Sequence, residues 1–166
     1  MQKSLIAIAA LATLAACASK PQPTPTPEAP TSAPTTQAPQ GPVPGSAEDF
    51  RVFVGDRVYF GYDRYDLSPE ARSILERQAA WLRRYSNVRL LVAGNCDERG
   101  TREYNLALGA RRAAAARDYL VSLGIGADRL ATVSYGKERP VDPRSNEQAW
   151  SVNRNATSQI VSGAVS

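Results

Sequence analysis

Asp97, Asn105 and Arg112 are the residues whose types and spacing could do chemistry. Gly94 to Thr101 reads as a polar turn leading into a long helix from about Arg102 to Leu123, with Gly124 supplying the C-cap. On such a helix Asn105 and Arg112, seven residues apart, lie within ~20° of one azimuth and two turns apart. Leu108 falls between them on that face. Asp97 comes from the loop feeding the helix N-terminus, where free backbone N–H groups and the dipole favour negative charge. One face therefore collects a carboxylate, a guanidinium, an amide and N–H donors. Two arrangements fit. In one, a small zwitterion binds, its ammonium on Asp97 and its carboxylate gripped two-pronged by Arg112. In the other, Asp97 and Arg112 pair with each other while Arg111, Arg112 and Arg117 form a solvated helix face. Spacing alone favours the second.

Composition narrows the chemistry. The chain has 166 residues and no histidine. That removes the commonest general base, the Ser/His and Cys/His nucleophile pairs, and the commonest transition-metal ligand. Asp63, Asp66, Asp97 and Glu98 could in principle supply a glycosidase pair, but no other catalytic apparatus is visible. The expectation is a binding protein with no catalytic residue, cofactor or metal. The net charge is +4 and comes almost wholly from arginine. Those arginines are scattered among acids, which argues against nucleic acid as a partner.

The elements that must position the turn and helix follow from local signals. Arg57 to Phe60 is a short strand candidate. Ser68-Pro69-Glu70 starts a helix, with Ser at the N-cap, Pro at the first helical position and an acid in the first turn. Apolar residues recur at Ala71, Ile74, Leu75, Leu82 and Tyr85, an amphipathic pattern. Val88 to Ala93 reads as a strand with Val88, Leu90 and Val92 on one face. Asp128-Arg129-Leu130 makes a helical turn before a strand at Ala131 to Tyr135. A last strand at Ala156 to Val161 is weakly patterned, because Thr157, Ser158 and Gln159 interrupt it. The fold expected is α/β (α+β): a two-layer sandwich with a mixed sheet and helices packed on one face.

The N-terminus carries an address. Lys3 precedes an apolar run from Leu5 to Ala16, about twelve residues and short of the ~20 that span a bilayer. Leu14-Ala15-Ala16-Cys17 resembles a lipobox, the bacterial lipoprotein site at which the cysteine is acylated and the chain cut before it. Residues 1–16 are then a signal peptide, the chain begins at a lipidated Cys17, and Ala18-Ser19 favours the outer membrane. Loss of Lys3, the one charge before Cys17, leaves +3, and Cys96 becomes the sole free thiol. Residues 17–45 form a linker: nine of the twelve prolines fall between Pro21 and Pro44. At ~3.1 Å per residue such a spacer reaches roughly 80 Å. Residues 46–166 form one domain.

Four landmarks then share one resemblance. Val58-Tyr59-Phe60-Gly61-Tyr62-Asp63 with Tyr65-Asp66-Leu67, the Asp97-Glu98-Arg99-Gly100-Thr101 core with Asn105, Leu108 and Arg112, Val133 to Glu138 followed by Pro140, and Asn153-Arg154 occur in order. Together they resemble the OmpA-like peptidoglycan-binding domain of the peptidoglycan-associated lipoprotein (Pal) family. The lipobox and the Pro-rich linker fit the same family. The resemblance implies non-covalent binding of meso-diaminopimelate, the cross-linking residue of Gram-negative peptidoglycan. Asp97 would take its ammonium and Arg112 its carboxylate. Asn105, Leu108 and Thr101 would line the pocket, and Phe60, Gly61 and Tyr62 would close it, partly through backbone. It also implies a periplasm-facing, non-enzymatic tether of outer membrane to wall, with TolB and other Tol proteins as partners in membrane integrity and constriction. The alternative is an OmpA-like lipoprotein outside the Tol system. Two departures stand out. Asn95-Cys96 replaces the family's usual pair before the Asp, with packing expected at the cysteine, and Asn155 replaces a usual arginine, which weakens the last strand.

Overall fold

The computed structural model describes residues 41–165, so the lipobox, Cys17 and most of the linker lie outside the described residues. Within them, a helical turn α1 (Ala47–Asp49) runs into a π-helical turn (Phe50–Val54). There follow β1 (Arg57–Tyr59), α2 (Pro69–Arg84), β2 (Arg89–Asn95) and α3 (Arg102–Ser122). A 3-10 turn (Ala127–Arg129) precedes β3 (Leu130–Gly136), and α4 (Glu147–Asn153) precedes β4 (Asn155–Ser162). The four strands form one mixed sheet in the order β1-β4-β2-β3. β4 runs antiparallel to both β1 and β2, and β2 is parallel to β3. Parallel neighbours need a long crossover, and α3 is that crossover. No described helix is long and apolar enough to cross a membrane.

The helix signals act as read. Ser68 Oγ accepts from Ala71 N at 3.2 Å, and Pro69 stands at the first helical position. Leu75, Ala79 and Leu82 then share one buried cluster with Val58, Leu90 and Val92 of the sheet, with Val88 just before β2, and with Ala113, Ala116 and Leu120 of α3. Full burial of each of the larger side chains contributes about 1.5–3 kcal/mol. Two elements have no counterpart in the sequence reading. One is the α1 turn, where Asp49 Oδ2 accepts from Gly45 N at 2.9 Å and Trp81 Nε1 at 2.8 Å, and where Phe50 meets the Trp81 ring edge-on at 4.9 Å. The other is α4.

The last strand corrects the sequence reading. β4 is eight residues long and lies inside the sheet, bonded on both sides. Thr157 and Ser158 are not interruptions, because partners in the interior satisfy them, and Gln159 faces solvent. Ser158 Oγ donates to the buried Gln78 at 2.8 Å, and Asn155 bonds Asn95 at 2.9 Å and Thr157 at 2.9 Å. Paired polar groups in a dry place cost little. The asparagine at 155 therefore ties β4 to β2 instead of weakening it.

Two glycines fix where α3 sits. A Cβ on Gly94 would fall on the carbonyl oxygen of Gly109, so helix and strand backbones touch there. One residue later the β2–β3 register shifts: Gly94 faces Ser134, but Asn95 faces Gly136. Such an irregularity bends the strand end and re-aims its side chains. Asn95, Cys96 and Asp97 are delivered beneath the first turns of α3 as a result.

Candidate functional site

A cleft of about 170 Å³ opens at this end of β2. Asp97, Arg99 and Gly100 of the loop, Asn105, Leu108 and Arg112 of α3, and Tyr62 after β1 line it, with Cys96, Asp63 and Tyr104. The seven-residue spacing does put Asn105 and Arg112 on one face with Leu108, and all three are buried. Of the remaining expected residues, Tyr62 forms a wall, while Phe60, Gly61 and Thr101 stand behind the lining. The Phe60 ring lies 5.2 Å from the Arg112 guanidinium. Thr101 caps α3, its Oγ1 accepting from Tyr104 N at 3.2 Å.

Arg112 is 1 % exposed. Its Nε donates to Arg64 O at 2.8 Å, Nη1 to Asn95 O at 2.8 Å and Nη2 to Gly61 O at 3.0 Å. A guanidinium has five N–H donors, so one on each Nη is left beyond these three bonds. Burial pulls the Arg112 pKa down, yet an arginine remains protonated. Gly61 thus acts through its carbonyl, holding the arginine.

Asp97 is 4 % exposed and does not pair with Arg112. Its partners are arginines the spacing argument passed over. Oδ1 accepts from Arg99 Nε and Arg99 N, both at 3.2 Å. Oδ2 accepts from Arg99 Nη2 at 2.7 Å and from Arg154 Nη1 at 3.3 Å. Burial works against the charged carboxylate, but the bonds from Arg99 and Arg154 outweigh it and hold the pKa below the usual range. The helix N-terminus is not its donor, because Arg99 N provides the one backbone bond.

The loop between is fastened from two sides. Asn105 Nδ2 donates to Arg99 O at 2.8 Å and Thr101 O at 3.1 Å. Lys137 Nζ donates to Gly100 O at 2.7 Å and Glu98 O at 3.1 Å. Gly100 takes φ +90°, where a side chain would be strained. Cys96 is buried against Asn105 O, Sγ to O 3.4 Å, and burial raises its thiol pKa, so packing is its role here. Among the described residues no group of three His, Cys, Asp or Glu side chains is placed to hold a metal.

The OmpA family model matches residues 59–154, the span that builds this cleft. A peptidoglycan-associated lipoprotein of Mesorhizobium japonicum is 48% identical over 160 residues, covering 96% of this chain and 92% of that one. The chain belongs to the peptidoglycan-associated lipoprotein family. Its relative from Agrobacterium fabrum is 54% identical over 121 residues, 73% of this chain and 68% of the relative. The crystal structure of the peptidoglycan-associated lipoprotein from Burkholderia pseudomallei superposes with a TM-score of 0.62 at 41% identity, covering 63% of this chain and 89% of that one. The C-terminal domain of Helicobacter pylori MotB has a TM-score of 0.59 at 20% identity over 64% of this chain and 84% of that domain, a likeness of fold alone.

Arg99, Arg154, Glu147 and Trp150 are the site residues that spacing missed. Trp150 and Glu147 belong to α4, whose start had a signal: Asn146 is its N-cap, with Oδ1 accepting from Ala149 N at 2.9 Å. Tyr104 also hydrogen-bonds Asp63 across the cleft rim. That contact joins α3 to the loop after β1, a long-range pairing no local pattern predicts.

Proposed function

We propose that the cleft binds the diaminopimelate residue of a peptidoglycan stem peptide without covalent attachment. The ammonium goes to Asp97, and the carboxylate takes the Nη donors that Arg112 has to spare. The observation that carries this reading is one small cavity holding both a buried carboxylate and a buried guanidinium with unspent donors. At about 170 Å³ it suits the end of a side chain and not a whole ligand or sugar strand. A lysine-type peptide would leave the desolvated Arg112 without its anion, which is the discriminating penalty.

Binding without turnover fits the electrostatics. A glycosidase needs one carboxylic acid raised to donate a proton, whereas Asp97 is held ionised. With Cys17 lipidated and residues 17–45 as spacer, the domain becomes a tether between outer membrane and wall on its periplasmic side. Many anchored copies on a repeating mesh give avidity to a weak site. Kinship with peptidoglycan-associated lipoproteins along nearly the whole chain supports placing the protein in the Tol system, with TolB as partner and a role in constriction.

Co-sedimentation with purified sacculi tests the reading. Walls cross-linked through diaminopimelate should pull down the protein, lysine-type walls should not, and Asp97→Ala should abolish the difference. Equal sedimentation with both walls, or release of soluble muropeptides, would overturn it. A pull-down with TolB separately decides the Tol assignment.

A further inference from the structure

The carboxylate that the proposed function gives to a ligand's ammonium is already occupied. Arg99 makes three of the four hydrogen bonds to Asp97, two from its side chain and one from its backbone. Its guanidinium is also stacked between two rings, with Cζ 4.2 Å from the centroid of Tyr62 and 4.2 Å from that of Trp150. An anion at the base and aromatic faces on two sides make a cage for a cation. Arg154, which also reaches Asp97, is not the movable partner. It is buried and bonded as well to Phe60 O at 3.2 Å and Glu147 at 2.8 Å. Arg99, by contrast, keeps about 30% of its side chain exposed and has a second acceptor at hand, Glu147, with Nη1 to Oε2 at 3.9 Å.

We propose that Arg99 is a built-in competitor that fills the cation cage of Tyr62, Trp150 and Asp97 in the empty protein, and that a ligand's ammonium binds by displacing it toward Glu147. This rests on the reading of the cleft as a diaminopimelate site. An ammonium entering beside an unmoved Arg99 would set a third cation on one carboxylate, next to Arg99 and Arg154. Exchange keeps the charge count at Asp97 constant and leaves the rings a cation to face. Glu147, already paired with Arg154 and largely exposed, receives the displaced guanidinium. The occupied state lowers apparent affinity by the fraction of molecules in which the cage is free. Selectivity follows, since a ligand must offer a compact cation at Asp97 and an anion at Arg112 together to repay the exchange.

The test is titration of the full-length chain with a diaminopimelate-containing stem tripeptide, comparing wild type, Arg99→Lys and Arg99→Ala. Arg99→Ala should bind about twofold to fivefold more tightly, the range expected for removing one partly exposed ion pair. Arg99→Lys, which keeps the charge but loses the fork and the stacking, should fall between. Millimolar methylguanidinium should compete with the peptide in Arg99→Ala and shift the Trp150 indole N–H resonance, and do neither in wild type. Unchanged or weaker peptide binding by Arg99→Ala would overturn the competitor role while leaving the cleft's function standing. Failure of all three proteins to bind would bring down the proposed function and this inference together.

Discussion

The two ends of β2 are each closed by an arginine that binds three backbone carbonyls, and of these two arginines Arg112 lines the cleft. At the N-terminal end Arg129 donates to Val88 O at 2.9 Å and to Leu82 O and Tyr85 O at 3.0 Å. At the C-terminal end Arg112 donates to Asn95, Arg64 and Gly61. The difference lies in the partners. Arg129 caps the last turn of α2, where a cation offsets exposed carbonyls and the helix dipole, and no carboxylate among the described residues pairs with it. Arg112 binds carbonyls of a strand end and an open loop, beside a cavity whose other wall is an ionised aspartate. The same hydrogen-bonding habit is a fastening in one place and lines a charged cleft in the other. Arginine type alone decides neither.

Four changes would break or sharpen this contrast. Gly94→Ala should have the largest effect, since the new methyl group meets Gly109 O and prises α3 from β2. A loss of about 3 kcal/mol in urea unfolding is expected, with cleft binding lost as α3 shifts. Arg112→Ala removes the donor from one buried carbonyl, Asn95 O, and from two partly buried ones, Gly61 O and Arg64 O, and should destabilise by about 1–3 kcal/mol. It should also remove about 2–5 kcal/mol of binding to a diaminopimelate peptide in calorimetry. Asp97→Asn should lose comparable binding but less stability, because Arg154 keeps Glu147 and Phe60 O. Arg129→Ala should cost about 1–2 kcal/mol of stability at its half-exposed position and leave binding unchanged.

The pH response should be the smallest effect over the physiological range. Asp97 is the acid that matters in the cleft, and its folded pKa lies below the ordinary 3.8. Its stabilising contribution is therefore complete above that value and fades as pH falls through the depressed one. With no histidine in the chain, peptide affinity should be flat from about pH 5 to 8. Asp97→Asn should remove its share of the loss of stability in acid, read by thermal melts below pH 4.

Much of the frame was legible because it rests on local rules. Ser68-Pro69 announced α2, and the seven-residue spacing put Asn105, Leu108 and Arg112 on one buried face. What was not legible depends on contacts between distant segments. Whether Asp97 pairs with Arg112 is decided by Arg154, 57 residues on, and by the loop's own Arg99. The strength of β4 is decided by Gln78 and Asn95, which accept or offer the hydrogen bonds its polar residues need. A one-dimensional pattern marks such residues as polar without saying that they are satisfied.

The central claim is that Arg112, and not arginine in general, reads a ligand carboxylate. The most direct test is the ratio of affinities for a diaminopimelate stem peptide over its lysine counterpart, measured in wild type, Arg112→Gln and Arg129→Gln. A ratio on the order of tenfold or more is expected in wild type and Arg129→Gln, collapsing to about one in Arg112→Gln. A wild-type ratio near one, or equal loss of the ratio in both variants, would contradict it.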